Sequence, residues 1–429
     1  MTGLSRTVLL VAALVMGVPA AAQPGELRAG VARVQIPLGS GVALAGFSSD
    51  RIASGVHDAL QARILLLRTA TDSVAIVACD LYRFQSRRVS EGARRTLNIS
   101  NVLFAASGTH SAPGGGERGG HWVSRVETAI EDGLKQAASN MFAARIGAGA
   151  GATDIAYNWR TVDEQGAVKM LWKNPDRKPT GPLWNTVPVW RIENEDGELM
   201  ALLYSAACRA SIAGRQNREL SADYPGHASR RVEAMLGGRA VALFFQGASG
   251  NLVPFANESS FAQVEQAGEQ LAREVVRVSR TIAPQAEPKP SLSVYRTSLS
   301  VRERWGDKQA VPLEAATVVV NRSYALAAIP GLPFAEHQIG LADRAPIAHT
   351  LIAAHTQTGT GVWGGVLPTI RAAAEGGYGA SYATRLEAGA GEGLFDAALV
   401  NMYRALGKLD DLPRGSLVRE MPPEGKPRR

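Results

Sequence analysis

Cysteine is scarce in this sequence, which has 429 residues and two cysteines, Cys79 and Cys208. Two cysteines cannot build the dense disulfide framework that stabilises small secreted domains. Each one lies near the end of a predicted strand, so two buried free thiols are favoured over a disulfide, which remains the alternative.

Closely spaced histidines are missing as well. Of the seven histidines, no two have the sequence spacing of a zinc-ligand pair. The segment Gly247-Ala-Ser-Gly-Asn251 resembles the nucleophile elbow of serine hydrolases but lacks the closing glycine. Neither standard motif is therefore present.

Long apolar runs are also absent after residue 22, since a membrane-spanning helix needs about 18 or more apolar residues. The first 22 residues are organised as a secretory signal peptide. Arg6 precedes an apolar run over residues 8–18, and Ala20-Ala-Ala22 provides the cleavage site. We expect cleavage before Gln23, a periplasmic or secreted location, and no transmembrane segment in the mature chain.

Charge is modest, at +7 for pH 7, and the basic residues are dispersed apart from Lys426-Pro-Arg-Arg429. Dispersed charge argues against nucleic-acid binding and is compatible with weak attraction to a membrane surface. Residues 413–429 are expected to form a disordered basic tail. Residues 23–412 are then expected to form one domain, with the proline-rich residues 284–290 as a surface crossing.

Apolar periodicity predicts an α/β fold, with mixed β-sheets flanked by helices. Predicted hairpins join residues 60–67 to 73–79, and 187–192 to 199–205. The other predicted strands cover residues 27–36, 102–106, 143–148, 155–160, 241–245, 292–301, 325–329 and 349–354. Predicted helices cover residues 87–97, 122–137, a segment opened by the capping box Ser260-x-x-Gln263, and 394–406.

Five polar, glycine-containing segments could carry chemistry. The principal one is Asn101–Gly114, which opens as a buried strand and ends with His110. Ligands of α/β proteins bind at the carboxyl ends of strands. The other segments are Gly55-Val-His-Asp58, Asn217–Gly226, Gln246–Asn251 and Gly376-Gly-Tyr378.

Taken in order, these segments resemble the N-terminal catalytic domain of the neutral/alkaline (non-lysosomal) ceramidase family. The resemblance runs from Ala29 to Ala405, and the family's C-terminal immunoglobulin-like domain has no counterpart. Its markers are Gly55–Asp58, Cys79–Leu81, Asn101-Val-Leu with Thr109–Pro113, Asn158-Trp-Arg160, Ser221–Gly226, Phe245–Gly250, Ile329-Pro-Gly331, Leu367-Pro-Thr369, Gly376–Tyr378 and Gly389-Ala-Gly391.

The resemblance implies zinc-dependent hydrolysis of the amide bond in ceramide-type lipids. Zinc activates a water and polarises the carbonyl, and it needs about three protein ligands. The family's ligand positions are occupied here by Gly108, Arg209, Leu332 and Val366, and its serine position by Val253. We therefore expect a retained pocket with no zinc and no other cofactor, unless the zinc site is rearranged.

His110 and Arg160 are the candidate catalytic residues. His110 is predicted to be a general acid or base, or else a histidine hydrogen-bonded in a polar pocket. Arg160 is predicted to hold a carboxylate or amide oxygen, or to form a surface ion pair. The predicted pocket residues are Ser107, Gly108, Arg209, Gly250 and Asn251.

Arg209 has two interpretations. It could create an anion site, or it could fill the space left by the metal while pairing with Asp80 or another carboxylate. A nucleophilic Cys208 with His110 as its base is a weaker hypothesis. His57 and Asp58 are expected to organise the mouth of the pocket, and Asp223 to cap the following helix. A relocated metal site among the remaining histidines stays open; these are His121, His227, His337, His349 and His355.

Three hypotheses about function follow. The first is a degenerate, exported ceramidase-like protein that binds a small amide- or acyl-containing molecule or a lipid. The second is an active amide or ester hydrolase with a rearranged or metal-free site. The third is a module without a small-molecule site, which the retained glycine-rich loops and Arg160 argue against.

Overall fold

The computed structural model describes residues 25–47, 51–115, 120–255, 260–357 and 359–409. The predicted signal peptide (1–22) and basic tail (413–429) lie outside these residues. Within the described ranges, no helix is long and apolar enough to cross a membrane.

The elements alternate between strands and helices along the chain. The helices are α1 (Arg87–Leu97), α2 (Trp122–Ser139), α3 (Asp223–Met235), α4 (Phe261–Ser279), α5 (Ala335–Arg344), α6 (Ile370–Glu375) and α7 (Ala390–Ala405). The strands are β1 (Arg28–Gln35), β2 (Gly55–Val56), β3 (Gln61–Arg68), β4 (Ser73–Cys79), β5 (Arg83–Phe84), β6 (Asn101–Ala106), β7 (Gly114–Gly115), β8 (Phe142–Ala143), β9 (Arg145–Ala152), β10 (Ala156–Asn158), β11 (Arg160–Val162), β12 (Val168–Met170), β13 (Thr186–Glu193), β14 (Leu199–Ala206), β15 (Glu219–Leu220), β16 (Val241–Gln246), β17 (Leu252–Pro254), β18 (Leu292–Arg302), β19 (Ala310–Val320), β20 (Tyr324–Ala328), β21 (Leu332–Pro333), β22 (His349–Ala353), β23 (Thr356–Gln357) and β24 (Val366–Leu367).

The first sheet has the strand order β23-β6-β4-β3-β1-β8. Strands β3 and β4 form the predicted antiparallel hairpin, and β4 runs parallel to β6. Every residue of β4 is buried, because helices α1 and α2 cover one face of the sheet while apolar residues of other strands cover the opposite face. A strand covered on both faces reads as a continuous apolar run rather than an alternating one.

Two further four-stranded sheets have the orders β16-β14-β13-β9 and β18-β19-β20-β22. One apolar cluster includes buried residues from all three of these sheets, among them Leu65, Leu203 and Leu326. Helices α3 and α4 cover the outer face of the β16–β9 sheet, and α7 packs on the β18–β22 sheet. The mixed α/β class predicted from the sequence is confirmed.

Local predictions were uneven. Helix α1 has the predicted bounds, and the side chain of Ser260 accepts the Gln263 N–H as the capping box requires. Strand β19 was not predicted because Pro312 and Glu314 interrupt its apolar pattern. Asp223 begins α3 instead of capping it, since the N-cap is Ala222. Both cysteines are free and buried, as predicted.

Candidate functional site

The loop after β6 forms one wall of the site. Gly108 has a φ of +75°, a left-handed conformation that favours glycine. A Cβ atom at this position would lie 3.0 Å from Cε1 and from Nε2 of His355. The imidazole of His355 therefore fills the space beside the predicted ligand position, and it needs the glycine to do so.

His355 itself follows β22 and is 2% exposed. Its Nδ1 lies 2.9 Å from the carbonyl oxygen of Tyr82, so Nδ1 carries the hydrogen and Nε2 keeps a lone pair. Burial lowers the pKa of His355 to about 3, and the positive charges of Arg209 and Arg83 act in the same direction, against the Tyr82 hydrogen bond. The ring is neutral at physiological pH. His355 belongs to no recognisable sequence motif, and its place just after a buried strand is the feature that could have identified it.

His110 lies close to His355 and is 8% exposed. Its ring makes edge contacts with Phe47 and Tyr82, at centroid distances of 4.5 and 5.4 Å. Its Nδ1 is buried and has no hydrogen-bond partner among the described residues. Burial lowers the pKa of His110 well below its usual value, with contributions from Arg209, His355 and Arg51. The acid/base role predicted for His110 assumed an unperturbed pKa, and the pKa of His110 in this environment is lower than that.

Arg209 stands in the centre of the site with 8% exposure. Its Nε donates to the carbonyl of Ser249 at 3.3 Å and its Nη2 to that of Gly250 at 2.5 Å. The guanidinium lies over the rings of Trp159 and Tyr378, at 4.6 and 5.8 Å from their centroids. Burial lowers the pKa of Arg209, while hydrogen bonding to Tyr378 raises it.

The suggested pairing of Arg209 with Asp80 is wrong. Asp80 instead forms an ion pair with Arg63 at 3.4 Å, and Arg63 also pairs with Glu233 at 2.8 Å. The Gln61 N–H donates to the same Asp80 oxygen, which holds the carboxylate on the side of β3. Within the described ranges, no carboxylate forms an ion pair with Arg209.

Leu332 and Val366 lie opposite each other in the parallel pair β21–β24. A Cβ atom on Gly250 would lie 2.5 Å from the carbonyl oxygen of Leu332. Arg209 donates to the carbonyl of Gly250 and helps to lower the pKa of His355. Since the ring of His355 packs on Gly108, the positions that the resemblance assigns to zinc ligands surround one small region. The assignment of these positions to zinc ligands stays a prediction.

Asn251 links this region to α5. Its Oδ1 accepts the Ala335 N–H and its Nδ2 donates to Glu336, both at 2.8 Å. Ser107 lies in the opposite wall, with its hydroxyl buried and unpaired among the described residues. The predicted pocket residues therefore include both structural and unsatisfied polar groups.

Four main-chain hydrogen bonds join the loops around the site. Gly108 donates to Leu81 at 3.0 Å, His110 to Ala210 at 2.8 Å, His355 to Gly331 at 3.0 Å and Gly250 to Pro333 at 2.7 Å. The backbone frame of the site is thus fixed independently of its side chains.

The residues that the resemblance puts at zinc-ligand positions do not fit zinc. Glycine, leucine and valine side chains offer no donor atom, and arginine presents a fixed positive charge. Within the part of the chain that the structure describes, no group of three or more His, Cys, Asp or Glu residues could hold a metal ion.

Arg160 is 4% exposed and forms an ion pair with Glu375 at 2.7 Å. Its Nε donates to the carbonyl of Gly376 at 2.9 Å. The ion pair of the alternative prediction is therefore present, although Arg160 itself is buried while Glu375 is partly exposed. Arg160 anchors the loop that carries Tyr378, and its predicted contact with a ligand stays a prediction.

Cys208 has no geometry that supports a nucleophile. Its thiol packs in an apolar cluster with Sγ 3.9 Å from the carbonyl of Ile155, and burial raises the pKa of the thiol well above its usual value. At the mouth, Asp58 accepts the Ser221 hydroxyl at 2.5 Å, and His57 stacks on Phe261 with centroids 3.5 Å apart. These contacts match the structural role predicted for His57 and Asp58.

Solved structures with the same architecture are known, although no protein-family model and no curated protein sequence matches this chain. Neutral ceramidase from Pseudomonas aeruginosa has a TM-score of 0.69 and 16% identity, covering 89% of this chain and 75% of that one. A ceramidase complexed with C2 has a TM-score of 0.70 with the same identity and coverage. The chain therefore has a neutral-ceramidase-like fold, which the sequence resemblance predicted.

Proposed function

We propose that this chain is an exported protein of the ceramidase fold that binds a small amide- or acyl-containing molecule in a pocket without the family's zinc. The observation that carries the proposal is the buried guanidinium of Arg209, a residue that the resemblance puts at a zinc-ligand position. A buried positive charge repels a dication at the same place, because a low-dielectric surrounding strengthens the repulsion.

Packing around Arg209 supports the proposal. The ring of His355 occupies the space beside Gly108, and two carbonyl groups hold the guanidinium. The side chains of His355 and Arg209 therefore occupy this region and are held there by specific contacts. The predicted export from the signal peptide is part of this proposal and rests on residues 1–22 alone.

Metal analysis of the purified protein tests the proposal. We expect less than stoichiometric zinc and an unchanged melting temperature after adding chelator or zinc, since a metal bound by the folded state would raise it. Stoichiometric zinc together with hydrolysis of a fluorescent acyl-sphingosine would refute the proposal.

The double variant Arg209→His with Leu332→Glu tests whether these two residues stand at zinc-ligand positions. It removes the fixed charge and supplies two donor side chains beside His355, so we expect a gain in zinc binding. The single variant Arg209→His is the matched control and should gain less. Equal zinc content in both variants would show that Leu332 does not face the ligand position.

A metal-free amide or ester hydrolase is the second candidate. It is favoured by Arg209, because a guanidinium can stabilise an oxyanion, and by the neutral imidazoles of His110 and His355, which can accept a proton from water although their lowered pKa values make them weak bases. Hydrolysis that persists in chelator and disappears in His110→Gln would favour this candidate. Unchanged hydrolysis in that variant would exclude His110 as the base.

A further inference from the structure

We propose that the Arg209 pocket binds a carboxylate, and that its ligand is a monocarboxylate with a hydrocarbon tail. The inference rests on the proposed function, because it names the ligand class of the same pocket. Its basis is a buried cation that has no carboxylate partner among the described residues and that lies beside an aromatic surface reaching solvent.

Arg209 differs in its hydrogen-bond partners from the buried arginines Arg63 and Arg160, which form ion pairs with carboxylates. Arg63 is paired with Asp80, and Arg160 with Glu375. Arg209 donates to two main-chain carbonyl groups and is hydrogen-bonded to the phenol of Tyr378. Within the described ranges, its partners include no carboxylate. A desolvated charge is costly unless it is paired, so an entering carboxylate would gain more from Arg209 than from a paired arginine.

A second buried arginine adds positive charge nearby. Arg51 is 1% exposed, and its Nη2 donates to the carbonyl groups of Ala45 and His110. Within the described ranges, it also has no carboxylate in ion-pair contact. Arg51 and Arg209 both act on the His110 ring, so this region of the protein interior is electropositive.

One hydrogen-bond donor near Arg209 has no acceptor among the described residues. The indole Nε1 of Trp159 is buried and has no partner among the described residues, and its ring lies under the guanidinium. An ionised carboxylate offers only acceptor atoms and matches these donors. The lone pair on Nε2 of His355 would instead suit an amide N–H, so an amide is the natural comparison ligand.

The aromatic patch, consisting of Trp159, Trp172, Tyr378 and Tyr382, connects Arg209 with solvent. Trp159 contacts Trp172 and Tyr378 at centroid distances of 5.3 and 4.9 Å, and Tyr378 contacts Tyr382 at 5.6 Å. Trp172 is 53% exposed and Tyr382 50% exposed. A hydrocarbon tail attached to the carboxylate can therefore cover apolar rings that otherwise face water.

The test is a set of titrations followed by tryptophan fluorescence and calorimetry. The probes are sodium octanoate, octanamide, sodium acetate and sodium sulfate. The wild-type protein should bind octanoate about tenfold or more tightly than octanamide, as expected for charge-assisted hydrogen bonds. It should also prefer octanoate to acetate by about tenfold or more, because of the buried methylene groups.

Arg209→Met should weaken octanoate binding about tenfold or more and change octanamide binding less than about threefold. The matched control is Arg177→Met. It also removes an arginine that lies over an aromatic ring, 3.9 Å from the centroid of Phe255, and it should leave both affinities unchanged. If Arg209→Met does not fold, the octanoate-to-octanamide ratio of the wild type decides.

Three outcomes overturn the inference. Equal binding of octanoate and octanamide shows that charge is not recognised, while binding without zinc still stands. Sulfate binding that exceeds octanoate binding assigns another anion class. No binding of octanoate removes the ligand class altogether. Failure of the proposed function is recognised separately, by stoichiometric zinc in the purified protein.

Discussion

The burial of His355 leads to a pH-dependent loss of stability. Its folded-state pKa is about 3, whereas a histidine in an unfolded chain titrates near about 6.5. Between these values the unfolded chain binds a proton that the folded protein does not. Stability is therefore fully present above about pH 6.5 and decreases as the pH falls, until about pH 3.

The magnitude follows from the two pKa values. Lowering the pH from about 6.5 to about 4.5 should remove about 2 kcal/mol of unfolding free energy through His355 alone. Burial of His110 and His337 acts in the same direction. Asp223 acts in the opposite direction, because burial raises the pKa of its carboxyl to about 6.

The variant His355→Gln isolates the contribution of one ring. Glutamine can still donate to the Tyr82 carbonyl but does not titrate, and the other buried groups remain. Urea unfolding at about pH 6.5, 5.5 and 4.5 should show that the wild type loses about 2 kcal/mol more than the variant.

The matched control is His121→Gln. His121 precedes α2, is exposed, and makes no capping hydrogen bond, so this variant should keep the wild-type pH dependence. Identical pH dependence in wild type and His355→Gln would refute the reasoning, because it would mean that the folded protein admits a proton at His355.

Three other perturbations have defined outcomes. Gly108→Ala should destabilise the protein by about 2–3 kcal/mol in urea unfolding, because of the positive φ at this position and the contact with His355. In a His355→Ala background the cost of Gly108→Ala should fall to about 1 kcal/mol, and an unchanged cost would contradict the contact. Arg63→Met should cost about 3 kcal/mol or more, since it leaves the buried carboxylate of Glu233 less compensated; a loss below about 0.5 kcal/mol would show that the pair is solvated. Both cysteines should resist a thiol reagent until urea unfolds the protein, and rapid labelling of the folded protein would contradict their burial.

The success of the sequence-based predictions depended on how local the determining interactions are. Helix α1 and the β3–β4 hairpin follow from apolar periodicity and turn residues, which act within a few positions. Strand β19 was missed because its pairing with β18 and β20 comes from distant residues, while Pro312 obscures the local pattern.

In the site, too, predictions failed where long-range contacts determine the structure. The sequence placed Gly108 and Arg209 together through a resemblance that spans the chain, and the geometry is consistent with it. The role of His355 as the group that fills the space beside Gly108 was not predicted. The partner of Asp80 was also mistaken, because ion pairing inside a protein depends on three-dimensional distances that no motif encodes. Arg63 reaches Asp80 from the neighbouring strand β3.

The main-chain hydrogen bonds that join the loops around Arg209 have a consequence for evolution and engineering. Because Gly108, His355 and Gly250 are tied to neighbouring loops through backbone atoms, replacing the side chain of Arg209 or His355 removes none of these hydrogen bonds. Such a backbone frame holds the loops in place independently of the side chains that carry the chemistry. The charge at Arg209 or the ring at His355 can therefore be exchanged without a change in these main-chain hydrogen bonds.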